Sequence, residues 1–308
     1  MKIVITGITS FIGLNVARAL RKSGHEICGL VRPSSTTFDA LDREGLLDGC
    51  RILRLDLEAL PGPGEENAAL CAFQPDCWLH FAWDGVGSEG RSDRLIQQKN
   101  LEIAQNCYYL AAHLGCSTFL FSGSQAEYGA GDLHAPQPVS LYGKAKYAFG
   151  QWGKAQSGVP RFLHLRIYSV YGPGDHPQSL VSTAIDTFIR GGVFTAGPCT
   201  QLWNYMYIDD CARAICTVLE SERSKGYVAM DIGSASGRVL REYVEAIHHA
   251  CGGRGSVRFG ARGNNAEGSA DLIPDLRVLS ATGFTEAYSF DAGIRKTIDA
   301  RKGRLKIP

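Results

Sequence analysis

The chain has almost no net charge, no paired-cysteine spacing and no long apolar run, and each absence removes a class of function. Against 32 Lys and Arg stand 31 Asp and Glu, a formal charge of +1. That excludes the broad electrostatic attraction of a nucleic-acid or acidic-membrane binder, so any bound phosphate must be held by local features. The ten cysteines (28, 50, 71, 77, 107, 116, 199, 211, 216 and 251) include no Cys-x-x-Cys pair. Several lie in apolar runs, as buried free thiols do, and a disulfide framework is not expected in a chain of 308 residues. His113 and Cys116 have a zinc-like spacing without a second pair beside them, so no metal site is expected. No stretch is apolar for the length of a membrane span. The start, Met1-Lys2-Ile3-Val4-Ile5-Thr6-Gly7, enters a strand pattern at once, without the apolar region of a signal peptide. The expected location is the cytoplasm, with neither nucleic acid nor membrane as a partner.

What is present is a rhythm. Short apolar runs at Ile3–Ile5, Ile27–Val31, Arg51–Leu55, Cys77–Phe81, Thr118–Ser122 and Arg161–Arg166 read as buried strands. Helical patterns lie between them, one over Phe11–Ser23 and a longer one over Asp93–His113. Strand–helix alternation of this kind predicts an α/β fold: a Rossmann-type, doubly wound parallel sheet. After about residue 168 glycine and proline thicken and the strands lose regularity, which predicts a smaller, partly interleaved C-terminal region. The stretch Gly260–Ala270 is polar and glycine-rich and reads as a surface loop.

The first strand runs into Thr6-Gly7-Ile8-Thr9-Ser10-Phe11-Ile12-Gly13 and then directly into a helix. A glycine there permits a tight turn and close approach of a pyrophosphate, and the helix N-terminus offers unpaired N–H groups. Gly7, Thr9, Ser10, Phe11, Ile12 and Gly13 are therefore the candidate dinucleotide cradle, with Ser10 where a second glycine is common. No carboxylate ends the second strand to take the ribose 2′-hydroxyl of NAD. Arg32 follows it instead and could pair with a 2′-phosphate, stack on adenine or face solvent. NADP(H) is the favoured cofactor, with NAD(H) left open. Downstream, Tyr142-Gly143-Lys144-Ala145-Lys146 contains Tyr-x-x-x-Lys, and residues four apart share a helix face. A cation beside a phenol lowers its pKa from about 10 and makes it a usable acid–base group.

Together these segments resemble the extended short-chain dehydrogenase/reductase family, also known as the epimerase/dehydratase family, over nearly the whole chain to about Gly293. The resemblance implies that Tyr142 and Lys146 are catalytic and that Lys146 also holds the nicotinamide ribose. It puts Ser124, within Phe121-Ser122-Gly123-Ser124-Gln125-Ala126-Glu127-Tyr128-Gly129, on the catalytic hydroxyl position, with Ser122 as the alternative register. It also implies that Asp56 and Leu57 meet the adenine, that Phe81 and Ala82 line the cofactor, and that Asn100 steadies the central strands. Relatives that dehydrate sugars carry Asp-Glu after the catalytic hydroxyl. Gln125 and Ala126 stand there and cannot perform that acid–base work. Glu127, one position on, is the residue that could reverse this exclusion.

On the substrate side, Arg166-Ile167-Tyr168-Ser169-Val170-Tyr171-Gly172-Pro173 resembles a family segment whose asparagine contacts substrate, replaced here by Ser169. Trp203 stands where the family often has an arginine, and in this the chain resembles the family's deoxysugar-nucleotide branch, similar to CDP-abequose synthase-type 4-ketoreductases. Trp203 either stacks on a base or sugar or fills the core. Ser124, Gln125, Ser169 and Trp203 are thus the candidate substrate contacts. The resemblance implies residues 1–167 as the NAD(P)-binding domain, with 205–230 returning to it, and 168–204 and 231–308 as the substrate-binding region. The activity expected is NADPH-dependent reduction of a 4-keto-6-deoxy nucleotide sugar. An NAD-dependent nucleotide-sugar epimerase, a reductase of a small non-sugar ketone and a non-catalytic NADP-binding protein are the alternatives. A homodimer through the helices over Asp93–His113 and Tyr142–Ser157 is expected by analogy.

Overall fold

The alternation resolves into one seven-stranded parallel sheet. The computed structural model describes residues 1–60, 67–87, 89–132, 134–156, 158, 160–221, 226–263, 271 and 273–305. The sheet strands are β1 (Lys2–Thr6), β2 (Glu26–Val31), β3 (Arg51–Arg54), β4 (Cys77–His80), β5 (Thr118–Ser124), β6 (Arg161–Ile167) and, from late in the chain, β11 (Tyr227–Ile232). Their order is β3-β2-β1-β4-β5-β6-β11, every pair parallel. The chain winds outward from β1 to β3 and then returns to add β4 on the other side. The crevice at the carboxyl ends of β1 and β4 is the switch point where such sheets take ligands.

Neighbouring strand residues supply opposite faces, as a strand's period of two requires. Ile3 and Ile5 of β1 enter one core, with Val16 and Leu20 of α1 (Phe11–Lys22), Phe38 of α2 (Thr36–Arg43) and Ile215 and Leu219 of α7 (Ile208–Glu220). Val4 and Trp78 enter the other, with Leu70 of α3 (Ala68–Phe73), Ala104 and Tyr108 of α4 (Arg94–His113) and Phe149 of α5 (Leu141–Ala155). A third core joins α6 (Leu180–Ile189), α8 (Leu240–Ala250) and α10 (Phe290–Leu305) through Ile185, Phe188, Val244, Ile247, Phe290 and Ile294. Short strand pairs edge it: β7 (Ser169–Tyr171) with β10 (Tyr205–Tyr207), β8 (Val193–Thr195) with β13 (Ser256–Arg258), and β9 (Leu202–Trp203) with β12 (Arg238–Val239). The helix α9 (Arg277–Ser280) returns Leu279 to the first core. Of the expected loop over 260–270, residues 260–263 carry neither helix nor strand and the rest lies outside the described residues. Ser157, the expected end of α5, also lies outside them. No helix among the described residues is long and apolar enough to cross a membrane.

Candidate active site

The β1–α1 turn has the close packing of a nucleotide cradle. Gly7 has φ +70°, and a Cβ there would lie 2.6 Å from the Ala82 nitrogen, so only glycine lets β1 exit against the end of β4. A Cβ on Gly13 would lie 2.3 Å from the Gly7 carbonyl oxygen, which fixes how closely α1 approaches the strand. Ser10 has extended backbone (φ −73°, ψ 160°) and caps α1, its Oγ accepting from Gly13 N at 3.1 Å. A helix start gains from such a cap, so serine has a structural use at the position where a second glycine is common. Thr9, Phe11 and Ile12 are half-buried along the same lip.

At the exit of β2 the Arg32 side chain is two-thirds exposed, and its Nη1 lies 3.4 Å from Asp84 Oδ2. Sequence reasoning missed Asp84. It belongs to the loop after β4 and is clamped there by Asn100, which accepts from Asp84 N at 3.0 Å and donates to its carbonyl at 2.8 Å. Ser35 caps α2, and Asp56 caps the turn Leu57–Ala59 through Glu58 N at 3.0 Å. Phe81 is buried beside Ala82 at the end of β4.

The third cluster centres on α5. Ser140 caps that helix, putting Tyr142 in its first turn and Lys146 one turn on. Both are buried, with Lys146 Nζ 5.7 Å from the Tyr142 ring centroid. Lys146 donates to the Ser122 carbonyl at 2.6 Å and lies 4.0 Å from the Trp83 ring centroid. Burial pushes its pKa down to about 7; Glu127 opposes the shift and Arg91 adds to it. Ser122 is occupied inside the sheet, its Oγ donating to the His80 carbonyl at 3.0 Å. His80, bonded to Thr6 Oγ1 at 2.8 Å, is held near pKa 3 by burial and then by Lys146. Ser124 ends β5 and starts the turn Gln125–Glu127, accepting from Ala126 N at 3.2 Å. That turn seats on α5 beside Tyr142, because Gly143 leaves room for the Ala126 carbonyl (a Cβ would be 2.3 Å away).

The three remaining substrate candidates meet at one hydroxyl. Ser169 Oγ accepts from Gln125 Nε2 at 3.2 Å and from Trp203 Nε1 at 3.0 Å. Gln125 Oε1 is buried with no hydrogen-bond partner among the described residues. Trp203, buried in the third core, therefore fills space and also directs its indole N–H at this group.

Residues 3–233 match the model of the NAD dependent epimerase/dehydratase family. The chain belongs to that family. Among curated proteins it is similar to CDP-abequose synthase of Salmonella muenchen, 21% identical over 305 residues with 98% of each chain covered. It is also similar to ADP-L-glycero-D-manno-heptose-6-epimerase of Pseudomonas aeruginosa, 23% identical with 80% of this chain and 77% of the other covered. The UDP-glucose 4-epimerase of Thermotoga maritima, solved with UDP-glucose, has the same fold, with TM-score 0.84 at 19% identity and 99% and 100% coverage. That of Thermus thermophilus, solved with NAD, gives TM-score 0.82 at 23% identity and 98% and 99% coverage.

Glu127, the residue one position beyond Gln125 and Ala126, is bonded within the protein. Its Oε1 accepts from Ser124 N at 2.8 Å, and its carboxylate pairs with His164. It braces the Gln125–Glu127 turn through Ser124 N and His164.

Proposed function

We propose that this chain is an NADPH-dependent reductase of a 4-keto-6-deoxy nucleotide sugar. The observation that carries the reading is an exposed Arg32, with no carboxylate at the end of β2, in a chain whose Tyr142 and Lys146 share one buried face. The cradle suits a dinucleotide: Gly7 and Gly13 keep Cβ atoms out of it and Phe81 and Ala82 pack against Gly7, while Arg32 and Ser10 would meet the phosphates and Asp56 and Leu57 the adenine. When bound, NADPH supplies a hydride to the ketone carbon. Tyr142 gives its proton to the ketone oxygen, Ser124 orients that oxygen, and Lys146 steadies the phenolate left behind. Gln125, Ser169 and Trp203 hold the sugar, and the nucleotide is inferred from CDP-abequose synthase. The proposed domains are 1–167 with 205–230 for the cofactor, and 168–204 with 231–308 for the substrate. A dimer would form through α4 and α5, where Leu95 and Tyr109 are exposed.

A second reading has an observation of its own. Asp84, 3.4 Å from Arg32, could accept from a ribose hydroxyl. That would suit NAD and an epimerase, in which hydride leaves and returns within one turnover. Deuterium-labelled NADPH separates the two. A reductase oxidises one NADPH per product and leaves deuterium in the sugar. An epimerase consumes none and incorporates none, and that result would overturn the reductase.

A further inference from the structure

The loop between β4 and α4 brings a second cation to Tyr142. Arg91 lies in the turn Gly90–Ser92, with its guanidinium carbon 4.4 Å from the Tyr142 ring centroid, nearer than Lys146 Nζ at 5.7 Å. The turn is braced in this position. Arg91 Nε donates to the Val86 carbonyl at 2.9 Å, and Gln97 of α4 donates to the Gly90 carbonyl at 2.9 Å. Gln97 is itself buried and receives Trp83 Nε1 at 2.9 Å, so the brace reaches the aromatic wall beside Lys146.

The two cations differ in kind. Burial pushes the Lys146 ammonium down from its ordinary value to about 7. A guanidinium keeps its charge at that pH. Among the described residues, the titratable groups on the surrounding elements named next are engaged or exposed. Glu127 of the 125–127 turn pairs with His164, His80 of β4 is bonded to Thr6, and Asp93 caps α4. Lys144 of α5 and Glu89 beside the turn are exposed.

We propose that Arg91 supplies the standing positive charge that poises Tyr142 for proton transfer, as a positioning residue acting through the phenol. A cation over the ring is attracted to the phenol and more strongly to the phenolate, so it favours the charged form. The proposal rests on reading Tyr142 as the proton donor. Its test reads the tyrosine without cofactor or substrate, so failure of either idea is visible separately.

The experiment is an ultraviolet titration of the cofactor-free protein, with Tyr142→Phe subtracted to isolate one phenol. Arg91→Gln should raise the Tyr142 midpoint by about one unit or more, and Arg91→Lys should recover most of that shift. The alkaline limb of kcat should move with it. An unchanged midpoint in Arg91→Gln overturns the proposal. So does a rise in KM alone, which would mark Arg91 as a substrate-phosphate ligand.

Discussion

His164 Nε2 lies 3.0 Å from the Glu127 carboxylate, with both side chains almost wholly buried. On its far side His164 Nδ1 meets Tyr227 OH at 2.8 Å, so the pair continues into a chain that ends at the sheet edge. Both hydrogen bonds fall on Glu127 Oε1, from Ser124 N at 2.8 Å and with His164 Nε2 at 3.0 Å, and they fix the carboxylate in place. Breaking a buried, bonded pair by deleting one partner leaves the other unsatisfied, at a cost of about 3 kcal/mol or more. Glu127→Ala should therefore lower unfolding free energy by about that amount in urea titration. Glu127→Gln, which can still accept from Ser124 N, should lose less and keep turnover within about tenfold. If Glu127 were the general base, the Gln variant would stay folded while turnover fell by roughly two orders of magnitude or more.

The bond from Trp203 to Ser169 gives a second prediction. Ser169 Oγ already accepts twice, so its proton is the part left to offer a ligand acceptor. Trp203→Phe removes one donor while keeping an aromatic ring. A net hydrogen bond is worth about 1 kcal/mol, so the expected result is a several-fold higher KM with kcat nearly unchanged. Ser169→Ala should raise KM at least as much, because Gln125 then loses its anchor. A fall in kcat without a change in KM would place the group at the reacting atoms instead.

Lys146 should leave a signature in stability. Its folded pKa is about 7, against about 10.4 in an unfolded chain. Between those values the unfolded chain holds a proton that the folded one lacks. Stability therefore rises with pH across that window, and the penalty is fully present below it. The difference in unfolding free energy between wild type and Lys146→Met should grow by on the order of 4 kcal/mol from pH 7 to pH 10.5. Subtracting the variant cancels the cysteines and tyrosines that titrate in the same range. A flat difference would mean that Lys146 keeps its ordinary charge in the ligand-free protein.

The sheet was legible in the sequence because parallel strands are short apolar runs between turn residues, clearest in β1, β2, β4 and β5 and shorter or charge-interrupted in β3 and β6. The short strands β7 to β10 and β12 to β13 were not, since two or three residues carry no period. The cradle and the Tyr142–Lys146 pair were readable for a related reason: local geometry at a turn and along one helix is set by spacing. Asp84 and Arg91 were invisible for the opposite reason. Each lies against a residue distant in sequence, Arg32 in one case and Tyr142 in the other, and only the packing of the β4–α4 loop brings them together. Ser10 looked like a defect in a glycine pattern and is a helix cap.

The proposed cofactor preference rests on Arg32, and its neighbour makes the test sharper. A charge-assisted contact to a 2′-phosphate is worth about 1.5–3 kcal/mol, so Arg32→Ala should weaken NADPH binding by about ten- to a hundredfold. NADH binding should barely change, because no phosphate meets the side chain. Asp84 lies 3.4 Å from Arg32 and carries the opposite charge, so it competes with that phosphate for the guanidinium. Asp84→Asn should consequently tighten NADPH severalfold and leave NADH the same or weaker. Fluorescence titration of each variant with both nucleotides reads all of this directly. Equal weakening of NADPH and NADH in Arg32→Ala would show the side chain stacking on adenine, and tighter NADH than NADPH in the wild type would favour the epimerase.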